Sequence, residues 1–371
     1  MNRTLFLALA LAALLLTCPL APAQDGALDP DRRALLRRVL RRLVERRGAS
    51  GPPRSREAGD GEGAGARALI RALRGSPAER AARDARLAQS LGLTQASLRH
   101  EQRERTFYYA GAEPSAAPRP VLFVLHGGSG SGPDMAHKTG YTELARDHGF
   151  VVVYPNGWEG NWNDGRGERA KTGVDVSGID DVGFFAKLFD HAVEHLGGDP
   201  RRLYVTGLSN GGTLSYRLGI ELTDRIAAIA PVIANLPGAL QGLTPSRPLP
   251  VLIMNGTADP LMTWDGERAP DGRVKRLSTP ETVAWWVRHN GAASAPTTAR
   301  LLDLDPGDGS TVEVSAYAAA RAPVVLYTIH GGGHTFPGSN VPDVAWFVGP
   351  KNRDLHGPEA VWTFLSGFTR D

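Results

Sequence analysis

Two textures divide the chain. Up to about residue 97 apolar positions fall at helical spacing or are absent, and from Leu98 short apolar runs alternate with helical patterns. The runs at Arg105–Tyr109, Val121–Leu125, Phe150–Tyr154, Leu203–Thr206, Ile226–Val232, Val251–Asn255 and Val324–Ile329 predict strands. They are short, mostly rich in β-branched and aromatic residues, and punctuated by Gly, Pro and Asn. Helical patterns lie between them at Met135–His148, Asp181–Leu196, after Ser209, at Pro280–Asn290 behind Thr279, and at Pro358–Phe368. Strand–helix alternation of this length predicts an α/β fold, a mostly parallel sheet with helices on both faces. In such sheets ligands sit beyond the carboxyl ends of the strands.

The first part reads differently. Arg3, the apolar run Thr4–Leu16 and Ala21-Pro22-Ala23 have the layout of a secretory signal peptide cut after Ala23, which predicts a secreted or periplasmic protein. The run is shorter than the roughly 20 residues a bilayer span needs. A lipoprotein anchored at Cys18 is the lesser alternative, because Thr17 is bulkier than the small residue such a site takes. Residues 24–97 form an arm and linker. Leu35, Leu36, Val39, Leu40, Leu43 and Val44 share one helical face behind Asp31, and eight arginines of the Arg32–Arg47 stretch cover the other. Such a helix can lie on an anionic surface or dock its leucines on the protein's own body. Gly48–Ala66 lacks apolar periodicity, and an Ala/Arg-rich helical stretch follows over Arg67–Leu91, broken near Gly75-Ser76-Pro77. The division is therefore a signal peptide (1–23), a helical arginine-rich arm with its linker (24–97), and a catalytic body (98–371).

Composition narrows the chemistry. One cysteine in 371 residues excludes a disulfide framework and a thiolate metal cluster. The net charge of +3 conceals +9 over residues 1–105 and −6 over the rest. An acidic body argues against a nucleic-acid channel through it.

Three signals follow strands. Gly207-Leu208-Ser209-Asn210-Gly211 is G-x-S-x-G between a strand and a helix, the context of a nucleophile elbow. Its glycines relieve a turn too tight for side chains, and the helix start favours negative charge at the site. A serine hydroxyl needs a base, and His334 in Gly331-Gly332-Gly333-His334-Thr335 is the candidate, ahead of His330, which belongs to the strand end and is expected to pack there. Asp259, in Asn255-Gly256-Thr257-Ala258-Asp259-Pro260, is the candidate acceptor for the imidazole. The order Ser209, Asp259, His334 is that of the α/β-hydrolases. Oxyanion donors are expected from the Asn210 amide and from Gly127 or Gly128 in His126-Gly127-Gly128-Ser129-Gly130, with His126 supporting the loop.

Other features compete for a role. Trp158, Trp162 and Trp264 fall in loops near the catalytic face, where exposed indoles can stack on a sugar or aromatic acyl group or pack as lid and core. His191-Ala192-Val193-Glu194-His195 matches H-x-x-E-H, the signature of a zinc peptidase, without an obvious third ligand. Asp180 and Asp181 are placed to cap the helix that follows. Gly128-Ser129-Gly130-Ser131-Gly132 lacks the Gly-Lys-Ser/Thr of a nucleotide loop.

At these motifs, from about Arg103 to the C-terminus, the chain resembles secreted polyhydroxybutyrate-depolymerase-like and feruloyl-esterase-like α/β-hydrolases, akin to carbohydrate esterase family one. The resemblance rests on Arg105-Thr106-Phe107-Tyr108, Leu125-His126-Gly127-Gly128, Phe150-Val151-Val152-Val153-Tyr154-Pro155 and Asp180-Asp181-Val182-Gly183-Phe184. It continues through Gly207-Leu208-Ser209-Asn210-Gly211-Gly212, Gly256-Thr257-Ala258-Asp259-Pro260 and Gly332-Gly333-His334-Thr335-Phe336-Pro337-Gly338. It implies hydrolysis of carboxylic esters through Ser209, His334 and Asp259 without metal or organic cofactor. The substrates it implies are feruloyl or acetyl esters of polysaccharide or a polyhydroxybutyrate-type polyester. The chain departs from the depolymerases at Gly128, where they often carry cysteine. Two other readings compete: a surface-binding protein that uses the arm and has an inactive body, and a zinc metallopeptidase built on His191 and His195.

Overall fold

The computed structural model describes residues 76–113, 115, 117–167, 174–339, 341 and 348–371. The expected signal peptide, the Arg32–Arg47 helix and the linker lie outside the described residues. The chain divides into two units, Met1–Arg80 and Ala81–Asp371. Of the first, residues 76–80 are described and open a helix, α1 (Pro77–Ser90).

The second unit is built on a ten-stranded sheet of order β1-β2-β4-β3-β5-β6-β7-β12-β11-β10. Its centre is parallel: β4 (Val151–Pro155), β3 (Arg119–Leu125), β5 (Gly198–Leu208), β6 (Ala228–Val232), β7 (Val251–Gly256) and β12 (Val324–His330). The cores of these strands, apart from β12 where Val325 and Tyr327 are only half-buried, are buried on both faces, which is why they read as unbroken apolar runs. Successive side chains enter different cores, Val121, Phe123 and Leu125 on one side and Leu122 and Val124 on the other. Helices α4 (Asp181–His195), α5 (Asn210–Glu221) and α6 (Thr279–Asn290) cover the first face with Phe184, Phe185, Leu214 and Trp286. Helices α2 (Gly132–Thr139), α3 (Tyr141–His148) and α7 (Gly357–Ser366) cover the second with Met135, Leu144 and Trp362.

Several boundaries differ from the sequence expectation, each for a local reason. The pattern at Met135–His148 is two helices, because Gly140 takes φ 68° and closes α2 with a bond from its N–H to the Ala136 carbonyl. Ser278, rather than Thr279, caps α6 in a reciprocal box with Glu281. Asp180 caps α4 by accepting from the Gly183 amide at 2.9 Å. Asp181 does not cap; it is buried against Arg105 at 2.6 Å.

Antiparallel edges flank the parallel centre. On one side β2 (Arg103–Ala110) and β1 (Thr94–His100) continue past β4, so the sheet begins before Leu98. On the other, β11 (Thr311–Tyr317) and β10 (Thr297–Arg300) continue past β12. Every residue of β10 is exposed, so it carries no apolar run to read. A separate ribbon pairs β8 (Glu267–Arg268) with β9 (Val274–Arg276). Among the described residues no helix is long and apolar enough to cross a membrane. Because the central strands are parallel, the loops leaving β3, β5, β7 and β12 emerge at one edge.

Candidate active site

Ser209 follows β5 and immediately precedes α5, at φ 55° and ψ −114°. A positive φ at a non-glycine residue is strained backbone that its surroundings must hold. Here the Ser209 N–H donates to the Val232 carbonyl at 3.0 Å and its own carbonyl accepts from the Thr213 amide at 2.8 Å. The flanking glycines are obligatory on steric grounds. A Cβ on Gly211 would stand 2.5 Å from the carbonyl oxygens of Leu125 and His126, and one on Gly207 would stand 2.5 Å from the Gly211 carbonyl carbon. The serine side chain is half-buried at the start of a helix whose first N–H groups have no intrahelical partner.

The loops after β7 and β12 are stitched together. The Thr257 amide donates to the Ile329 carbonyl at 3.0 Å, the Ala258 amide to Gly332 at 2.9 Å, and the Gly331 amide to the Thr257 hydroxyl at 2.9 Å. The His334 amide is in turn held by the Val348 carbonyl at 2.5 Å. These bonds bring the His334 Nδ1 to 2.7 Å from Asp259 Oδ2, with the carboxylate 1% and the imidazole 12% exposed. The other carboxylate oxygen, Oδ1, accepts from the amides of Leu261 and Met262, both at 2.7 Å. A carboxylate facing Nδ1 keeps the proton there and leaves Nε2 as the basic nitrogen. His330 does sit at the end of β12, but its side chain is exposed rather than packed.

The loop after β3 lies against the elbow. A Cβ on Gly127 would stand 3.6 Å from Ser209 Cβ, and one on Gly128 3.8 Å from Asn210 Cβ. His126 is buried and staples this loop: its Nε2 accepts from the Gly157 amide at 2.9 Å, so Nδ1 carries the proton and donates to the Gly127 carbonyl at 2.7 Å. The Gly130 amide closes the turn onto the same carbonyl at 3.1 Å. The amides of Gly127 and Gly128 take no part in these bonds.

The tryptophans separate. Trp162 is 1% exposed, so the expectation of an exposed stacking indole fails for it; its indole N–H donates to the His126 carbonyl at 2.9 Å. Trp158 is half-buried with the Arg103 guanidinium 5.3 Å from its ring centre, and Trp264 is half-buried against the core. The structure adds partners that no motif announces. The Asn210 carboxamide, buried with its residue, accepts from the Trp162 amide and donates to the Asp164 carboxylate. Its position inside G-x-S-x-G was the sole signal, and it spoke only for the backbone.

The H-x-x-E-H pair ends α4. The rings of His191 and His195 are 4.7 Å apart; His191 packs edge-on against Phe107, and burial followed by the neighbouring His195 lowers its pKa. Neither belongs to a set of three ligands among the described residues. The one such set is His100, Glu101 and Asp180, where His100 pairs with Asp180 at 3.0 Å and Glu101 with Arg103 at 2.7 Å.

No family model matches the chain. Comparison with curated proteins and solved structures is more informative. The chain is 32% identical over 267 residues to "Putative esterase NocK" of Nocardia uniformis subsp. tsuyamanensis, a match spanning 69% of this chain and 77% of that one. It is 26% identical over 221 residues to feruloyl esterase B of Piromyces equi, covering 58% of this chain and 39% of that longer protein. In structure it matches an acetyl xylan esterase from Aspergillus awamori with a TM-score of 0.50 at 15% identity, over 74% of this chain and 99% of that one, a likeness of fold. With an elbow serine, a paired histidine and aspartate on one sheet edge, and a relative at this identity over this length, the chain belongs to the α/β-hydrolase family of feruloyl-esterase-like and polyhydroxybutyrate-depolymerase-like carboxylic ester hydrolases.

Proposed function

We propose that the protein is an exported serine esterase in which Ser209, His334 and Asp259 form the catalytic triad. What carries the reading is the 2.7 Å bond between Asp259 and His334 Nδ1, which leaves Nε2 free to serve a serine presented by the elbow. Ser209 Oγ attacks the ester carbonyl while His334 Nε2 takes its proton. The carbonyl oxygen becomes an oxyanion held by the amides of Asn210 and of Gly127 or Gly128. His334 then protonates the departing alcohol, and an acyl-serine remains. Water, deprotonated by the same imidazole, attacks this ester, and collapse returns the Ser209 proton and releases the acid. Asp259 stays ionised, orienting the imidazole and stabilising its cation.

The substrates are feruloyl or acetyl esters of polysaccharide, or a polyhydroxybutyrate-type polyester. The names of feruloyl esterase B and of the Aspergillus awamori acetyl xylan esterase support the polysaccharide esters. The depolymerase part rests on a relative called poly(3-hydroxyalkanoate) depolymerase C of Paucimonas lemoignei. Export rests on the layout of residues 1–23, and contact with an anionic surface on the arginines of 32–47. Ser209→Ala should lower turnover of 4-nitrophenyl acetate on the order of 10⁶-fold and abolish labelling by a fluorophosphonate. Turnover that survives in Ser209→Ala ends the triad assignment. Assays on methyl ferulate, acetylated xylan and a polyhydroxybutyrate film separate the substrate classes.

A further inference from the structure

An oxyanion hole whose donors come from two chain segments works only if something fixes the distance between them. Here one donor amide belongs to Asn210 on the elbow and the other to Gly127 or Gly128 on the loop after β3. A third segment touches both. The Trp162 indole N–H donates to the carbonyl of His126, the residue preceding Gly127, at 2.9 Å. The Trp162 backbone meanwhile donates to Asn210 Oδ1 at 2.9 Å and accepts from Asn210 Nδ2 at 3.2 Å. One residue thus joins the two donor segments.

Asp164 completes the joint. Its Oδ2 accepts from Asn210 Nδ2 at 2.6 Å, so every polar atom of the Asn210 carboxamide has a partner. The same carboxylate accepts from Arg166 Nε at 2.9 Å and Nη2 at 2.5 Å, which neutralises a charge that would otherwise oppose an oxyanion nearby. Asp164 is 4% exposed. The segment is itself anchored: the Asn163 amide donates to Asp181 Oδ2 at 2.7 Å, and Arg217 Nη1 donates to the Asn163 carbonyl at 2.9 Å. A carboxamide with all its hydrogen bonds made to a fixed segment has one orientation, and so does the backbone of the residue that carries it.

We propose that Trp162 and Asp164 are positioning residues of the oxyanion hole, setting the spacing between the Asn210 amide and the Gly127–Gly128 amides. This rests on the esterase reading above. The buried tryptophan, which the sequence left between a substrate platform and a packed lid or core residue, acts as a strut behind the reaction centre.

Trp162→Phe removes the indole N–H together with one ring of the buried bicycle, and Asp164→Ala removes the acceptor without touching the tryptophan. Deleting an oxyanion donor costs about 10²–10³ in turnover. Displacing one should cost less, so each variant is expected to lose about 10- to 100-fold in kcat on 4-nitrophenyl acetate, with KM within about twofold. Affinity for a trifluoromethyl ketone, which forms a tetrahedral adduct on Ser209, should weaken by the same factor as kcat. Asp164→Asn keeps a carbonyl oxygen for Asn210 Nδ2 but turns its NH₂ toward Arg166 Nε, so it should recover only part of the activity lost in Asp164→Ala, and Asp164→Ala carries the test if Trp162→Phe does not fold. A lowered melting temperature with unchanged kcat and ketone affinity overturns the proposal and leaves the esterase reading intact. A parent enzyme that the ketone does not inhibit, together with an active Ser209→Ala, overturns both.

Discussion

Asp259→Asn tests the triad through its hydrogen bonds. The two oxygens of Asp259 face different partners: Oδ1 accepts from two backbone amides, those of Leu261 and Met262 at 2.7 Å, and Oδ2 faces His334 Nδ1 at 2.7 Å. An asparagine here must keep its oxygen at the two amides, because its NH₂ placed there would confront two donors in a site 5% exposed. The NH₂ group therefore points at His334 Nδ1. That nitrogen must become the acceptor, which moves the proton to Nε2 and removes the base that Ser209 needs. The volume and the two backbone bonds are unchanged, so the fold should survive while kcat falls about 10⁴-fold, a barrier increase of about 5 kcal/mol. The assay is the pH profile of kcat on 4-nitrophenyl acetate, with far-UV circular dichroism and the melting temperature to verify folding. A folded variant that retains kcat within about tenfold of the parent at pH 7 refutes the reasoning.

Asp84 on α1 is buried next to Asp134, and burial, then Asp134, pushes its carboxyl from 3.8 up to about 6 despite the opposing Arg83. An acid whose folded pKa is raised loses stability as pH climbs between the two values, here from about 4 to 6, by about 3 kcal/mol. In Asp84→Asn that loss disappears, so urea unfolding at pH 4.5 and 7.5 should show a flatter pH dependence and a gain at pH 7.5; equal slopes contradict it. Arg105→Met strands the Asp181 carboxylate, whose pKa burial already raises against Arg105, and should cost about 3–5 kcal/mol, with the deficit growing in thermal melts as rising pH ionises the carboxyl. Gly211→Ala drives a methyl into the carbonyls of Leu125 and His126 and should cost at least about 3 kcal/mol or prevent recovery of soluble protein. Incubation with EDTA should leave ester hydrolysis unchanged, whereas a peptidase built on His191 and His195 loses its activity.

Some of this architecture is written in local sequence. The parallel strands are legible because burial on both faces demands unbroken apolar runs such as Val151–Tyr154. The elbow is legible because part of its steric constraint is local, Gly207 against Gly211, although the other part, Gly211 against Leu125 and His126, comes from a distant strand end. The loops of Asp259 and His334 announce themselves by following two such strands. The edge strands are not legible: β10 is exposed throughout and β1 buries little, so their pairing rests on neighbours far away in the chain.

What the sequence by itself determined is the set of backbone conformations that only certain residues tolerate and the apolar periods that a two-faced sheet requires; both are short-range, and both survive reading one residue after another. Only the tertiary structure decided which polar groups meet. Trp162 became a strut between His126 and Asn210, Asp164 became the partner of Asn210, and Asp181 gave up capping to pair with Arg105. Each of these bonds joins residues far apart in the chain, 36, 46 and 76 positions respectively. A hydrogen bond depends on distances of a few tenths of an ångström, and over such separations those distances are set by the packed sheet and helices rather than by the neighbouring residues.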